Sequence, residues 1–506
     1  MRFKSSMKSV LSSIVLQVVT MAIGLVMPRL YITTFGSEIN GLVTSITQFV
    51  AYFSLAEAGL AGATISSLYS PLADNNHIMI SRILSSAKKF YFNIGFIFSG
   101  LTIALAVIYP LFVSARGVNS FEIGILVGVL GFAGAFEYFT LSRYRALLTA
   151  DQRYYVIANA STVANCISFA LVFVSIKLSF GIIAVRTIAL TSFILRSLIL
   201  NVYVRRNYKK IDYRAAPADS ALSKRWAAMT LQLLGLTQAS LPVILLTFIS
   251  GNLGIVSVYS VYNMVAVSVL SVLFAITNGF VSPFGDMIAK RETDNLKTAY
   301  RNYEFVFLIV MIWAYSCMNI LYLPFIKLYT RGISDTNYIQ PLLAFFFVLS
   351  GITYNLKTPA GTLIGSAGLF KETRTATIIQ TVIVVLFSLL FVPFWGIYGI
   401  LAALIVSSLY RDVELVLFMS QKVTALPSFE SFKRMLNCLF IFIISNIPFY
   451  FIHITAGNIL SLLFAGAVVG LWCFFVAVAY SWFFDKEVLS SVIEKVRSGF
   501  AFLGGK

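Results

Sequence analysis

Apolar segments, most of them 20 residues or longer, follow one another along almost the whole chain. A helix needs about 20 such residues to cross about 30 Å of hydrocarbon, and a membrane-spanning helix satisfies its own backbone hydrogen bonds. Because 59% of the residues are hydrophobic and 11% are charged, a soluble domain on a membrane anchor is excluded. The sequence predicts an all-α polytopic membrane protein with about 14 transmembrane helices.

The predicted spans are numbered in chain order. They lie near residues 10–31, 41–69, 90–114, 121–148, 155–177, 181–204, 227–250, 254–281, 303–327, 338–367, 374–394, 396–420, 435–454 and 459–483. The first apolar segment lacks the small-residue pattern of a signal-peptide cleavage site, so we expect it to remain as the first helix.

The chain contains an internal repeat whose offset is 215 residues at most matched positions and 212 where Ser70, Pro71 and Asp74 recur as Ser282, Pro283 and Asp286. Gly181, Ile182, Ser192 and Arg196 recur as Gly396, Ile397, Ser407 and Arg411, and 411 − 196 = 215. Since each copy holds six spans, the copies share one orientation, which predicts two six-helix lobes related by a pseudo-two-fold axis along the membrane normal, a plan typical of transporters. The predicted parts are an N-lobe (1–204), a basic cytoplasmic linker (205–225), a C-lobe (226–420), two further spans (421–484) and a cytoplasmic tail (485–506).

The net charge of +18 follows the topology of the chain. Lys and Arg concentrate in every second connection, whereas the intervening connections hold Arg116, Lys177, Lys327 and Arg331, with Arg29 at the edge of the first. Positive residues are retained in the cytoplasm, so both termini are predicted to be cytoplasmic. The basic residues are therefore not evidence for a nucleic-acid partner.

Several kinds of chemistry are disfavoured by the sequence. The four Cys lie far apart in sequence inside apolar segments and there are two His, so neither a disulfide framework nor a metal site is predicted. The connections are short, and no phosphate-binding loop or catalytic triad motif occurs. We expect a protein that is not an enzyme and has no cofactor, apart from coupling to H⁺ or Na⁺.

Four passages resemble a known family. They are Pro28-Arg29 followed by Phe35 to Leu42, then Tyr52 to Leu60, then Tyr144 to Ala150 with Gln152-Arg153-Tyr154, and Gly396-Ile397-Tyr398-Gly399. Together with the 6+6+2 plan they resemble the polysaccharide flippase branch (O-antigen, capsule and teichoic acid) of the multidrug/oligosaccharidyl-lipid/polysaccharide exporter superfamily. The resemblance implies a multi-pass protein of the bacterial cytoplasmic (inner) membrane. The drug-exporting and lipid II-flipping branches share the fold, so the fold does not choose the cargo.

Cations at membrane depth cost about 2.5 to 3.5 kcal/mol on insertion scales and need water, a partner or an interface. Lys357 lies well inside span ten, where Pro359 and Gly361 predict a helix break. We expect it to face a cavity and contact an anionic cargo; the alternative is an ion pair inside its lobe. The other candidate cavity cations are Arg29, Arg186, Arg143 and Arg145. Arg29 could instead extend to the outer head groups, and Arg143 and Arg145 could be ordinary cytoplasmic positive residues.

Two acids and two repeat-related arginines complete the candidate set. Glu57 in span two and Glu137 in span four could bind a proton or Na⁺, because burial favours the neutral carboxyl unless a cation offsets it. The alternative is pairing with an Arg of the same lobe. Arg196 and Arg411 occupy equivalent positions in the two copies, which favours a structural role for both.

These features predict a flippase that moves a polyprenyl-diphosphate-linked oligosaccharide, a polysaccharide repeat unit, from the cytoplasmic to the outer leaflet by alternating access. Membrane lipids and other polysaccharide-assembly proteins are its expected partners. One alternative is a cation-coupled multidrug exporter of the same fold. The other is a membrane-embedded enzyme of polysaccharide assembly, which the short loops disfavour.

Overall fold

The computed structural model describes residues 2–57, 60–212, 215–217, 235, 237–369, 371–452 and 454–503, and in this part of the chain the regular secondary structure is helical. The chain divides into two compact units, 1–257 and 258–506. This division falls inside a helix, past the predicted seventh span, whereas the predicted C-lobe begins at 226. The predicted lobe boundaries stay a prediction. Of the predicted linker, residues 213, 214 and 218–225 lie outside the described residues, as do the last three residues of the predicted tail.

The first unit is built from ten helices among its described residues, and an eleventh begins in it. They are α1 (Arg2–Phe35), α2 (Ser37–Phe53), α3 (Leu60–Ala73), α4 (His77–Phe112), α5 (Ser120–Thr140), α6 (Ser142–Ala150), α7 (Tyr154–Lys177), α8 (Ile182–Ala189), α9 (Thr191–Asn207), α10 (Thr237–Ser250) and α11 (Leu253–Ala289). A short 3₁₀ helix, Ser54–Glu57, follows α2.

The second unit continues from α11. Its helices are α12 (Thr293–Tyr329), α13 (Pro341–Leu356), α14 (Thr358–Ser366), α15 (Arg374–Trp395), α16 (Ile397–Met419), α17 (Ser428–Phe451), α18 (Ile459–Phe484) and α19 (Lys486–Leu503). The predicted tail thus begins with a helix.

Ten of the described helical segments are long and apolar enough to cross a membrane. The four other predicted spans are the seventh, whose described part is the short helix α10, and three that are interrupted or carry charges. These three are α2 with α3, α13 with α14, and α16, which contains Arg411, Asp412 and Glu414. The predicted all-helical, multi-pass membrane fold with about 14 spans is confirmed.

The internal repeat is visible in the backbone. Gly36 and Gly251, which are 215 residues apart, both have positive φ angles (86° and 60°) just before α2 and α11 begin. Glycine adopts this conformation without the steric cost that a side chain brings. The interruption between α5 and α6 at Leu141 likewise corresponds to the interruption between α13 and α14 at Lys357, one residue from the offset of 215. The two copies therefore share local geometry as well as sequence.

Helices within each unit pack through small residues, as expected where lipid provides no hydrophobic drive for association. In the first unit Gly131 lies against Thr102 and Gly134 against Phe98, which brings α4 and α5 close together. Gly41 of α2 lies against the backbone carbonyl of Leu253, so a Cβ at this position would overlap it.

In the second unit α17 and α18 attach to α12 through polar contacts. The indole nitrogen of Trp313 donates to the carbonyl of Gly470 at 2.8 Å, and the amide of Asn319 donates to Asn446 at 2.8 Å. The last two spans are thus fixed to the second unit.

The start of the predicted linker docks on the first unit. The Tyr208 hydroxyl donates to Asp151, which also forms an ion pair with Arg153 at 2.8 Å. Burial and then the Asp151 hydrogen bond raise the pKa of Tyr208. Farther on, the backbone N–H of Asp212 donates to the Ser81 hydroxyl at 3.0 Å.

Candidate functional site

A charged cluster in the first unit gathers three of the candidate residues on three helices. Glu137, near the end of α5, accepts from Arg145 of α6 and, at 3.2 Å, from Arg196 of α9. Arg145 lies about two turns after Glu137, beyond the interruption between α5 and α6 at Leu141. The Glu137 and Arg196 side chains are about 20% exposed (21% and 20%), and that of Arg145 is 48% exposed. This arrangement corresponds to the ion-pairing alternative for Glu137.

Glu57 belongs to the same cluster. It ends the 3₁₀ helix after α2, and the hydroxyl of Tyr138, next to Glu137 on α5, donates to its carboxylate. Arg145 acts on Glu57 as a positive charge and Glu137 as a negative one. Two carboxylates and two guanidiniums thus share one site within the first unit, and their charges balance.

Arg186, on α8 near the start of the predicted sixth span, stacks on an aromatic ring. Its guanidinium carbon lies 4.0 Å from the ring centroid of Tyr31 on α1. The Arg186 Nε and the Tyr31 hydroxyl are both buried without a hydrogen-bond partner among the described residues. A desolvated cation over a ring gains about 2 kcal/mol, but this contact leaves the Nε–H donor unsatisfied.

The remaining candidate cations of the first unit are Arg29 and Arg143. Arg29 is half-buried on α1, and its carbonyl accepts from Thr33 at 2.8 Å. Arg143 donates to the Tyr144 hydroxyl at 3.1 Å, and that hydroxyl donates to Asn201 at 3.0 Å. Their predicted contact with cargo stays a prediction.

Lys357 occupies the interruption of span ten, between α13 and α14. Its ammonium is buried without a hydrogen-bond partner and lies 4.5 Å from the ring centroid of Tyr354. Pro359 stands in the first turn of α14, where a missing N–H is tolerated. Gly361 donates its N–H to the Lys357 carbonyl at 2.9 Å, inside a regular turn. The break therefore lies at Lys357, just before Pro359.

Asp412 on α16 was not among the predicted residues. It is the anion whose charge acts on Lys357. It is 3% exposed, and the ammonium and the backbone of Lys357 act on its charge. Neither of its carboxylate oxygens has a hydrogen-bond partner within bonding geometry. Buried polar groups are normally paired, so Asp412 is an exception that needs an explanation.

The repeat contained a signal for this pair. At the offset of 215 residues, Lys357 corresponds to Ser142 and Asp412 corresponds to Ser197. Both serines of the first unit are buried. The second copy therefore carries a lysine and an aspartate where the first carries two serines.

Arg411 has different partners from its counterpart in the first unit. It forms an ion pair with Glu414 one turn along α16 and donates to the Thr377 hydroxyl at 3.0 Å. Arg196 pairs instead with Glu137 of another helix. Each arginine is thus bound within its own unit, as a structural role requires.

Glu304 was also missed by the sequence reasoning. It is buried on α12 and receives hydrogen bonds from Tyr300 at 3.0 Å, from Ser431 at 2.6 Å and from Arg434 at 2.5 Å. This carboxylate is fully satisfied and connects α12 to α17. Among the described residues no group of three or more His, Cys, Asp and Glu side chains could hold a metal ion.

Comparison with solved structures places this geometry in a known fold. The lipid II flippase MurJ in an inward closed conformation has a TM-score of 0.66 and 16% identity, covering 94% of this chain and all (100%) of MurJ. An inward-facing multidrug resistance MATE transporter of the MOP superfamily has a TM-score of 0.64 and 16% identity, covering 82% of this chain and 98% of that one.

The chain has the MATE and MurJ fold. A third structure with this fold, a MOP superfamily transporter from Pyrococcus furiosus, has a TM-score of 0.54 and 17% identity, covers 84% of this chain and 96% of its own, and is described as having a binding pocket of reverse polarity. No family model and no curated protein sequence matches the chain. The neighbours agree with the predicted fold, and they do not select a polysaccharide flippase among the proteins that share it.

Proposed function

We propose that this protein is a flippase that carries a polyprenyl-diphosphate-linked oligosaccharide from the cytoplasmic to the outer leaflet by alternating access. The observation that carries the proposal is the pair of half-buried cations Arg186 and Lys357, for which the described part of the chain provides no side-chain hydrogen bond or ion pair and whose Nε and Nζ are buried without a partner. Arg143, Arg196 and Arg301 also have an unsatisfied Nε, but their other nitrogens bind acceptors. Unsatisfied cationic donors at membrane depth are costly, and a diphosphate supplies the acceptor oxygens that they lack.

The structural likenesses support the same reading. The lipid II flippase matches 94% of the chain, whereas the MATE structures match 82% to 84%. A lipid-linked cargo keeps its polyprenyl tail in the bilayer, so the protein has to accommodate the polar head. The proposed setting is the bacterial cytoplasmic membrane, with both termini inside and with other polysaccharide-assembly proteins as partners.

Flipping is tested with purified full-length protein in liposomes. The probe is undecaprenyl diphosphate carrying a fluorescently tagged N-acetylglucosamine, and dithionite bleaches the probe that reaches the outer leaflet. We expect bleaching beyond the fraction seen in protein-free liposomes, and none beyond it for a tagged phosphatidylethanolamine. Probe movement equal to that in protein-free liposomes would refute the proposal.

Matched variants test the role of the cations. Arg186→Ala and Lys357→Ala should each lower the flipping rate about tenfold or more, since one lost transition-state contact of about 1.4 kcal/mol has this effect. Lys327→Ala removes an exposed lysine in the last turn of α12 and should leave the rate unchanged. Wild-type flipping rates in both Arg186→Ala and Lys357→Ala would refute the proposed role of these cations.

A cation-coupled multidrug exporter is the second candidate, and the half-buried Glu57 and the buried Asp412 favour it because acids attract cationic drugs. The MATE likeness is nearly as high as that of MurJ. Efflux of a cationic dye from cells that express the protein, lost in Glu57→Gln and Asp412→Asn, would support this function over the flippase.

A further inference from the structure

The most unusual group in the second unit is the Asp412 carboxyl. It is 3% exposed on α16, it faces the interruption at Lys357, and neither of its oxygens has a hydrogen-bond partner. The comparison with Glu304 is informative, because that carboxylate is equally buried and receives three hydrogen bonds. Glu304, which connects α12 to α17, has hydrogen bonds to both of its carboxylate oxygens, whereas Asp412 has none among the described residues.

An ionised carboxylate without hydrogen bonds is among the costliest groups to bury. Lys357 reduces this cost by its charge and by its backbone N–H, which acts on the Asp412 carboxylate without reaching hydrogen-bonding geometry. No hydrogen bond joins the two side chains, and the ammonium lies over the ring of Tyr354. A bound proton removes the cost directly, since a neutral carboxyl needs no counter-charge. The geometry therefore suits an acid that alternates between a protonated and an ionised form.

The other charged groups around this site are paired or lie at exposed positions, and Arg411 also acts on Lys357 as a like charge. On the same helix Arg411 is bound by Glu414 and by Thr377 of α15. Arg374 lies at the exposed start of α15, and Arg434 of α17 pairs with Glu304. From the junction of α13 and α14, Lys357 is the charge that faces Asp412.

The repeat indicates that Asp412 and Lys357 act as a pair. Their counterparts in the first copy, Ser142 and Ser197, are both uncharged. The second copy therefore has both charged residues, and the first copy has neither. The first unit instead satisfies its acid Glu137 with two arginines.

We propose that Asp412 and Lys357 form a proton-binding site at the interruption of span ten, and that this site, rather than Glu57 and Glu137, exchanges a proton with the solvent during the protein's cycle. Asp412 binds and releases the proton, and Lys357 is the positioning charge that stabilises the ionised form. A nearby ammonium disfavours Na⁺ binding at the same place, which is why the ligand is a proton.

Infrared difference spectroscopy of the full-length protein in lipid bilayers tests the site without any cargo. We expect a carbonyl band of a protonated carboxylic acid that disappears as the pH rises, shifts on labelling aspartate with ¹³C, and is absent in Asp412→Asn. Glu57→Gln should retain the band. In Lys357→Met the band should persist to a pH at least about one unit higher than in the wild type, because the ammonium no longer favours the carboxylate.

Three results would overturn the proposal. The first is the absence of an aspartate carbonyl band that titrates in the ¹³C-labelled wild type, which is informative even where a variant fails to fold. The second is an unchanged band in Asp412→Asn. The third is binding of ²²Na⁺ to the wild type that Asp412→Asn abolishes, which would make this a sodium site. A protein that shows the band but does not flip the tagged lipid would refute the proposed function alone.

Discussion

Glu304 and Asp412 allow a sharp comparison, because both are buried acids of the second unit and only Glu304 has hydrogen bonds to lose. Glu304→Gln removes the charge that holds the buried guanidinium of Arg434. Breaking a buried ion pair from one side costs about 3 to 5 kcal/mol, because the remaining charge is left uncompensated. Gln keeps an acceptor oxygen for Tyr300 and Ser431, so we expect about 3 kcal/mol, the lower end of this range.

Asp412→Asn should cost less than about 1 kcal/mol. It removes a buried charge that receives no hydrogen bond. The protein no longer has to bury that charge, and this gain in stability offsets the loss of the attraction between Asp412 and Lys357. Asp294→Asn is the matched control, because this side chain is 96% exposed and has a 3.9 Å contact with Lys297. Exposed pairs of this kind contribute little.

The assay is equilibrium unfolding of the purified protein in mixed micelles with increasing SDS, which gives the free energy of unfolding for each variant. The expected order of stability loss is Glu304→Gln first, with Asp412→Asn close to Asp294→Asn. A loss in Asp412→Asn as large as that in Glu304→Gln would mean that Asp412 is satisfied in the membrane, and it would refute the argument from its unpaired oxygens.

Three further predictions follow from single contacts. The double variant Lys357→Ser/Asp412→Ser, which restores the residues of the first copy, should be more stable in SDS unfolding than the sum of the single variants predicts, with a coupling energy of at least about 0.5 kcal/mol. Gly41→Ala should cost about 1 to 3 kcal/mol in the same assay because its Cβ meets backbone, whereas Gly24→Ala, with open space around it, should cost nothing. Tyr208→Phe should cost about 1 kcal/mol equally at about pH 6 and about pH 9, since the raised pKa of this hydroxyl keeps it protonated in the fold and its unfolded value is about 10.

The sequence was sufficient for the fold class because the relevant signals are local. Apolar length predicts a spanning helix, and the recurring offset of 215 predicts two copies, whatever the helices contact. Lys357 was likewise recognisable as a cation beside Pro359 in an apolar segment. These inferences needed no knowledge of which helices are neighbours.

Partner choice was not predictable, because it depends on how helices turn and meet. Glu137 and Arg145 are eight residues apart, which is about 12 Å along a straight helix, so the sequence spacing alone did not predict that their side chains would pair. On α16, Arg411 and Glu414 share a face at i,i+3 spacing. Asp412 lies on a different face, toward the α13–α14 junction.

Lys357 connects the two proposals, because the cargo's diphosphate and the Asp412 carboxylate are anions that compete for one buried ammonium. When the diphosphate binds Lys357, Asp412 loses its counter-charge and takes up a proton. Linkage then requires cargo affinity to rise as the pH falls, approaching tenfold per pH unit where Asp412 is ionised in the cargo-free protein and protonated in the cargo-bound protein. Binding of the tagged diphosphate sugar lipid to the wild type should follow this slope, and binding to Asp412→Asn should not depend on pH. If cargo binding to the wild type and to Asp412→Asn depended equally on pH, protonation of Asp412 would not be coupled to cargo binding.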